Sequence, residues 1–399
     1  MIATADLERR LSGLEPIGLG PDGTTRLAWT PEDAAAAAWF EAQAAELGLR
    51  VERDPAGSLW ACPDSPPPWW AVGSHLDSVP RGGRFDGALG VVAAFEVAAR
   101  TTRPVAVLSF ADEEGGRFNT PTFGSRALVG RMDVEQTLGR ADRHGVTVGR
   151  AMAKAGIPPG GLGDAPSWLP RLRGMLELHI DQSRDVVAAG APAGVVRALA
   201  SRVRLRVDFT GRADHAGTTR RAERRDALAA AARLIVRADE LAGDDPGFVV
   251  TAGRILVKPN ALTTVPAEAT VWLDARAPAA AGLAAWRARL AEAAAALEAA
   301  TGVTVTIGIE AQSDGIEFDG RVREALARAA ASRFGSPAPD VVCYAGHDAG
   351  VIGERLPAGM VLVRNETGIS HAPEEHVELE DAAAAADVLV AALEELTGA

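Results

Sequence analysis

The sequence predicts an α/β protein: a discontinuous main domain, with a central sheet flanked by helices, interrupted by a smaller α+β insert. Three observations lead there. Between the Pro66-Pro67-Pro68 turn and residue 180, short apolar runs alternate with helical stretches, the pattern of a mainly parallel sheet. From about residue 193 the texture changes: Val203, Leu205, Val207 and Phe209 alternate with polar residues, so this strand buries one face only. Beyond about Gln312 the first texture returns, with a helix, the apolar run 360–363 and a C-terminal helix from Glu380. The main domain is therefore read as residues 1–192 and 312–399, and the insert as 193–311.

In chain order, Thr30-Pro31-Glu32-Asp33 is a helix start, with Thr30 as cap, proline in the first turn and acids facing the dipole; Gly48 is its natural stop. Residues 70–72, 105–110 and 175–180 read as buried strands, and 87–99 as a helix between the first two. In the insert the alternating strand through Val203 is followed by a helix at 226–241, strands at 248–257 and 269–274, a helix at 281–300 and a strand at 303–309. Trp69, Trp70, Trp272 and Trp286 are assigned to cores, the usual use of aromatic area.

A chain of 399 residues exceeds what one ordinary core covers. Its 47% hydrophobic and 24% charged residues are the balance of a globular protein rather than a disordered or membrane one. The alanine runs at 34–38 and 382–386 are too short to span a bilayer. Residues 1–14 carry no apolar stretch ending in a cleavage site, so no secretory signal is visible and a cytoplasmic location is expected. The net charge of −12 argues against nucleic-acid and anionic-membrane partners. An anionic substrate would need locally placed arginines. Cys62 and Cys343 are read as free thiols.

Open α/β sheets bind ligands beyond the carboxyl ends of their strands, and the chemically unusual residues collect there. His75 and Asp77 form His-x-Asp, in which the carboxylate can accept a hydrogen bond from the imidazole and set which nitrogen faces a metal. Alone, such a histidine is as readily structural. Asp86 stands among glycines that can aim a carboxylate inward, although an Asp at a helix start is commonly a cap. Glu113 and Glu114 follow an apolar strand; one can bind metal while its neighbour takes a proton from water, or the pair can be a solvated turn. Crowded acids leaving a buried strand repel one another unless cations lie close, which favours the metal reading. With His179 and His371, three histidines and two carboxylates suffice for two divalent ions.

With these residues in view, the chain resembles the di-metal amidohydrolases that include N-carbamoyl-L-amino-acid hydrolases, allantoate amidohydrolases and β-ureidopropionases, within the aminoacylase and carboxypeptidase superfamily. The segments that carry the likeness are Gly73-Ser74-His75-Leu76-Asp77, Gly83-Arg84-Phe85-Asp86-Gly87, Glu113-Glu114-Gly115, Glu177-Leu178-His179, His215-Ala216-Gly217-Thr218-Thr219, Gly346-His347-Asp348 and Gly368-Ile369-Ser370-His371. The resemblance implies one ion on His75 and His179, a second on Glu114 and His371, and Asp86 bridging them. The metals expected are zinc or manganese, with cobalt or nickel as further fits. It also implies Glu113 as general base, Asp77 as the second catalytic residue, and Gln182, His215, Asn260 and Arg276 as substrate-binding residues. The insert would be a ferredoxin-like lid and dimerisation domain, giving a homodimer. The implied reaction is hydrolysis of a linear amide other than a peptide: loss of the carbamoyl group from a small ureido acid that carries a carboxylate. His179 tilts the choice that way, because many peptidase relatives place a carboxylate there. Dipeptidase or aminoacylase activity on the same scaffold, and a non-catalytic metal-binding homologue, are the alternatives.

The chain departs from the family pattern at Asp181, where a glutamate is usual, at Ser183, where glycine is usual, and at Arg220-Arg221, where Pro-Met is usual. None is an implied ligand, so the departures bear on the substrate. Arg220 and Arg221 can favour a more acidic substrate or simply be solvated. His347-Asp348 reads as a supporting pair, His144 and His376 as surface residues.

Overall fold

Strand Trp69–His75 is buried along its whole length, as is Val105–Phe110. Continuous apolar runs of this kind are what a strand covered on both faces requires. The computed structural model describes residues 1–245 and 247–398. Its contacts divide into two units: Met1–Arg197 with the chain from Glu317 onward, and Ala198–Ile316. The joins fall a few residues beyond those read at 192/193 and 311/312, because strand Ala193–Leu199 pairs with Ala358–Val363 of the large sheet.

Among the described residues the large sheet has nine strands, in the order Ile316–Glu317, Ala193–Leu199, Ala358–Val363, Leu172–Ile180, Trp69–His75, Val105–Phe110, Leu59–Cys62 and Arg50–Arg53, with Asp340–Cys343 also pairing with Ala193–Leu199. The four from Ala358–Val363 to Val105–Phe110 are mutually parallel, and Ala193–Leu199, Leu59–Cys62 and Arg50–Arg53 pair antiparallel. The mainly parallel sheet expected is thus the central part of a mixed one. Helices Thr4–Leu14, Ala88–Arg100, Gly320–Phe334 and Leu379–Gly398 share one core with it, through Leu7, Val92, Phe95, Leu326 and Leu389. Thr30 caps helix Pro31–Glu46 by accepting the Asp33 amide. Among the described residues, no helix is long and apolar enough to cross a membrane. Cys62 and Cys343 are buried free thiols.

The second unit runs βαββαβ, with strand order Val249–Lys258, Glu268–Ala277, Ser201–Thr210, Thr304–Ser313, all antiparallel. This is the ferredoxin-like arrangement. Helices Ala227–Ala242 and Ala280–Thr301 contribute Leu234, Trp286 and Leu290 to a core with Val203, Leu205, Val207, Phe209, Val271 and Leu273. Asp226 is the cap of its helix rather than its first residue, accepting the Ala229 amide. Residue 312 still belongs to strand Thr304–Ser313, and the following helix starts only at Gly320, because the antiparallel ladder continues to Ser313 opposite Arg202.

Trp69, Trp70 and Trp286 are buried, but Trp272 is not a core residue. It stands between buried Val271 and Leu273, so strand parity turns it to the polar face. There the Arg254 guanidinium stacks 4.4 Å from its ring and its indole N–H donates to Glu310 at 2.9 Å.

Candidate metal centre

Parallel pairing of adjacent strands points their carboxyl ends to one edge of the sheet. His75 ends the first strand, Asp112, Glu113 and Glu114 follow the second, His179 is the penultimate residue of the third, and His371 lies on the loop after the fourth. This ordering brings eight of the sequence-derived site residues into one unit. Two compact ligand groups result: His75, Asp86 and His179, and Asp86, Glu114 and His371, with candidate ligand atoms in each lying within 4.8 Å of one another. Asp86 belongs to both. Its Oδ1 is 3.6 Å from His75 Nε2 and 3.1 Å from His179 Nε2, while Oδ2 is 3.5 Å from His371 Nε2. Glu114 Oε1 also stands 3.5 Å from His371 Nε2, and Glu113 Oε2 3.8 Å from His75 Nε2.

Asp86 does not cap the helix behind it. Gly87 is the N-cap of Ala88–Arg100, with no side-chain cap, at φ +65°. A Cβ on Gly87 would come within 2.3 Å of the His75 ring, so only glycine admits both the turn and the imidazole. The orienting partner of His75 also differs from the one expected. Its Nδ1 lies 3.0 Å from the backbone carbonyl of Asp77 and 3.6 Å from the carboxylate. The Asp77 carboxylate instead accepts the amides of Glu113 at 3.0 Å and Glu114 at 3.1 Å, holding both glutamates against the histidine loop. His179 Nδ1 likewise meets a backbone carbonyl, that of Ile180, at 3.0 Å. A carbonyl can only accept, so both rings carry the Nδ1 proton and turn Nε2 inward.

Burial takes His75 down to about 4, leaving it neutral. Burial also opposes charge on His179, but Asp86 outweighs it and lifts the group to about 9. His179 Nε2 stands 3.1 Å from Asp86 Oδ1, so a proton there is held by that carboxylate. Asp86 is pulled well below the usual carboxylate range, against its burial, by His179, His75 and His371. Burial, then Glu114 and Asp348, push Glu113 far up; burial, then Asp86 and Asp77, push Glu114 to about 9. Inward-facing imidazole nitrogens beside carboxylates that destabilise one another are the donor set a divalent cation satisfies.

Gln182, expected to bind substrate, donates from Nε2 to Asp86 Oδ2 at 3.0 Å, while its Oε1 is buried and unpartnered. Asp181 and Ser183 form a local turn: the Asp181 carboxylate accepts the Ser183 amide at 2.9 Å, its hydroxyl at 2.7 Å and the Val186 amide at 3.3 Å. Those two departures are therefore explained by the backbone around them. His347 is buried with its ring 4.4 Å from that of His179, and Asp348 accepts the Ser125 hydroxyl. Glu177, His179 and His347 make a further compact group, but Glu177 is engaged by Ser74 Oγ at 2.7 Å and the Ala349 amide at 2.9 Å.

One supporting residue escaped the sequence reading. Glu375 Oε1 accepts the amides of Phe85 at 2.7 Å and Asp86 at 2.9 Å, tying the loop after His371 to the Asp86 segment. Gly83 permits the approach, since a Cβ there would lie 2.1 Å from Glu375. The sequence offers Glu374-Glu375 with no periodicity to tell which one turns inward.

His215, Asn260 and Arg276 belong to the second unit. His215 Nδ1 accepts the amides of Gly217 at 3.0 Å and Thr218 at 3.2 Å, which places its proton on Nε2 and makes that edge of the ring a donor. Asn260 adopts φ +56° just before strand Thr264–Val265, which pairs with Asp214–His215. Arg276 is steadied by Asp274 Oδ1 at 2.8 Å. Arg220 and Arg221 are exposed.

The family model "Peptidase family M20/M25/M40" matches residues 71–395. The chain is 34% identical to the N-carbamoyl-L-amino acid amidohydrolase of Geobacillus stearothermophilus, over 98% of this chain and 97% of that one. It is 29% identical to the allantoate amidohydrolase of Bacillus subtilis, over 89% and 88%. An amidase of the hydantoinase/carbamoylase family from Burkholderia multivorans superposes with a TM-score of 0.87 at 32% identity, covering 98% of this chain and 97% of that one.

Proposed function

The chain belongs to peptidase family M20/M25/M40, and from that premise we propose that it is an amidohydrolase removing the carbamoyl group from a small ureido acid, an N-carbamoyl amino acid or an allantoate-like compound. The observation that carries the proposal is the pair of ligand groups sharing Asp86, with Glu113 beside them. His75, His179 and Asp86 would hold one divalent ion and Glu114, His371 and Asp86 a second, zinc or manganese suiting the mixed nitrogen and oxygen set, with cobalt or nickel as further fits. When bound, such ions supply Lewis-acid polarisation of a carbonyl oxygen and lower the pKa of water in their shell.

Glu113 takes the proton of the attacking water and passes it to the leaving nitrogen, with Asp77 holding its backbone in place. Gln182, anchored on Asp86, offers Oε1 to a ureido N–H. In the second unit, Arg276 anchors the substrate carboxylate and the Nε2–H of His215, with Asn260, donates to the developing oxyanion. The second unit serves as lid and dimerisation domain. The exposed Val249, Ile255 and Leu256 of edge strand Val249–Lys258 support self-association, because an open apolar edge templates pairing. Sedimentation as a monomer at micromolar concentration would reject that part.

Ammonia release across a panel of N-carbamoyl amino acids, N-carbamoyl-β-alanine and allantoate tests the whole reading. Release of ammonia from at least one supports it; cleavage of dipeptides or N-acyl amino acids alone moves the activity to a peptidase or aminoacylase. On the best substrate, Arg276→Ala should raise KM about a hundredfold with a smaller change in kcat, as expected for loss of a charged carboxylate contact of about 3 kcal/mol. An unchanged KM removes the anchor role.

Metal loading should depend on pH. With Glu114 and His179 both near 9, each holds a proton at neutral pH that an ion must displace. Affinity therefore rises as pH climbs towards 9 and falls as it drops, by about tenfold per unit for each proton displaced. Zinc titration in weakly buffered solution with an indicator dye should register acid release, and none would contradict these two protonation states.

A further inference from the structure

Arg26 is 1% exposed, one of the larger fully buried side chains, and it lies in the segment that precedes the family match at residue 71. Burying a guanidinium is costly unless its donors and charge are met. Nε donates to the Leu76 carbonyl at 2.7 Å and Nη1 to the Ile17 carbonyl at 3.2 Å, while Nη2 is buried without a hydrogen-bond partner. The Arg26 amide donates to Ser78 Oγ at 2.9 Å, and the Ser78 amide returns a bond to the Arg26 carbonyl at 2.9 Å. Further along, Thr24 and Gly82 exchange two backbone hydrogen bonds at 2.8 Å, and the Arg81 amide reaches Thr25 Oγ1 at 2.9 Å. Residues 24–26 are thus laced along the loop that leads from His75 towards Asp86.

We propose that Arg26 is a positioning residue for the metal centre: its guanidinium grips the carbonyl of Leu76, the residue between His75 and Asp77, and so sets the spacing of the His75 imidazole and the Asp77 carboxylate. Asp77 carries the amides of Glu113 and Glu114, so a shift at Leu76 reaches a ligand of each ion and the base. The charge has a second use. Although burial lowers it to about 10, Asp77, Asp33 and Glu375 keep Arg26 cationic, so it offsets the charge of these carboxylates. Lysine can supply the charge but not the planar fork that spans Leu76 and Ile17.

The proposal rests on the metal reading of His75, and the test separates the two. Zinc affinity is measured by chelator competition on the full chain, with kcat and KM determined in parallel for Arg26→Lys and Ser78→Ala. The expected result for Arg26→Lys is affinity weaker by tenfold or more and kcat lower by about tenfold, with KM within twofold, the size of effect seen when a partner behind a metal ligand is lost. Ser78→Ala, a milder change on the same lacing, should weaken zinc a few-fold in the same direction. Wild-type zinc affinity and kcat in both variants overturn the proposal, and if Arg26→Lys does not fold, unchanged affinity in Ser78→Ala does so alone. A wild-type chain that binds no zinc overturns the metal reading itself.

Discussion

Glu113→Gln is expected to lower kcat about a thousandfold while the protein keeps its metal content and KM stays within a few-fold. General bases contribute roughly a hundred- to ten-thousandfold, and a thousandfold corresponds to about 4 kcal/mol of transition-state stabilisation. Glutamine preserves the shape of a side chain that is 8% exposed and keeps the backbone amide held by Asp77. What it removes is the ability to accept a proton. The geometry singles out Glu113 for this test: Glu114 and Asp86 face His371, whereas Glu113 stands beside His75, outside the two groups that share Asp86 although close enough to form a group of its own with His75 and Glu114. Metal analysis together with steady-state kinetics decides the matter. Turnover near the wild-type value in the glutamine variant would sink the base assignment, and loss of metal would show that Glu113 is a ligand.

Asp86→Asn should abolish measurable turnover by emptying both ion positions at once. His75, His179, Glu114 and His371 each belong to one of the two sets, but Asp86 approaches His75, His179 and His371, so its charge serves both. Asparagine keeps the volume and can still meet Gln182, which limits the change to the lost charge and one lost oxygen donor. The loss extends to the imidazoles, because Asp86 is what raises His179 against its burial. Bound metal measured after gel filtration should fall from two equivalents to less than one. The ligand-linked part of thermal stability should vanish with it, about 4 kcal/mol where free ion exceeds Kd a thousandfold. An asparagine variant that retains two equivalents would mean that Asp86 does not bridge.

The legible part of the site is the part whose chemistry is local. His75 and Asp77, the paired Glu113 and Glu114, and Asp86 among its glycines each announce themselves within a few residues at a strand exit. His215, Asn260 and Arg276 carry no such signal, and only the family register singled them out. Glu375 and Arg26 were invisible because their partners are remote in the chain: Glu375 reaches Phe85 across 290 residues and Arg26 reaches Leu76 across 50. Trp272 was legible but misread. Its neighbours Val271 and Leu273 fix the buried parity of the strand, and an aromatic between them must face outward.

By itself, then, the sequence determined the element order, the interrupted main domain and the identity of the groups able to hold metal, since these follow from periodicity and from side-chain chemistry that travels with the residue. Only the tertiary structure decided which atom each group uses. Asp77 supports the two glutamates through its carboxylate and His75 through its carbonyl, a division of labour no spacing rule contains. The adjacency of four parallel strands likewise turned four distant segments into one cluster around Asp86. The reason is the same in both cases: hydrogen-bond direction and strand order are properties of the folded backbone, and they set distances of a few ångströms between residues that the chain holds far apart.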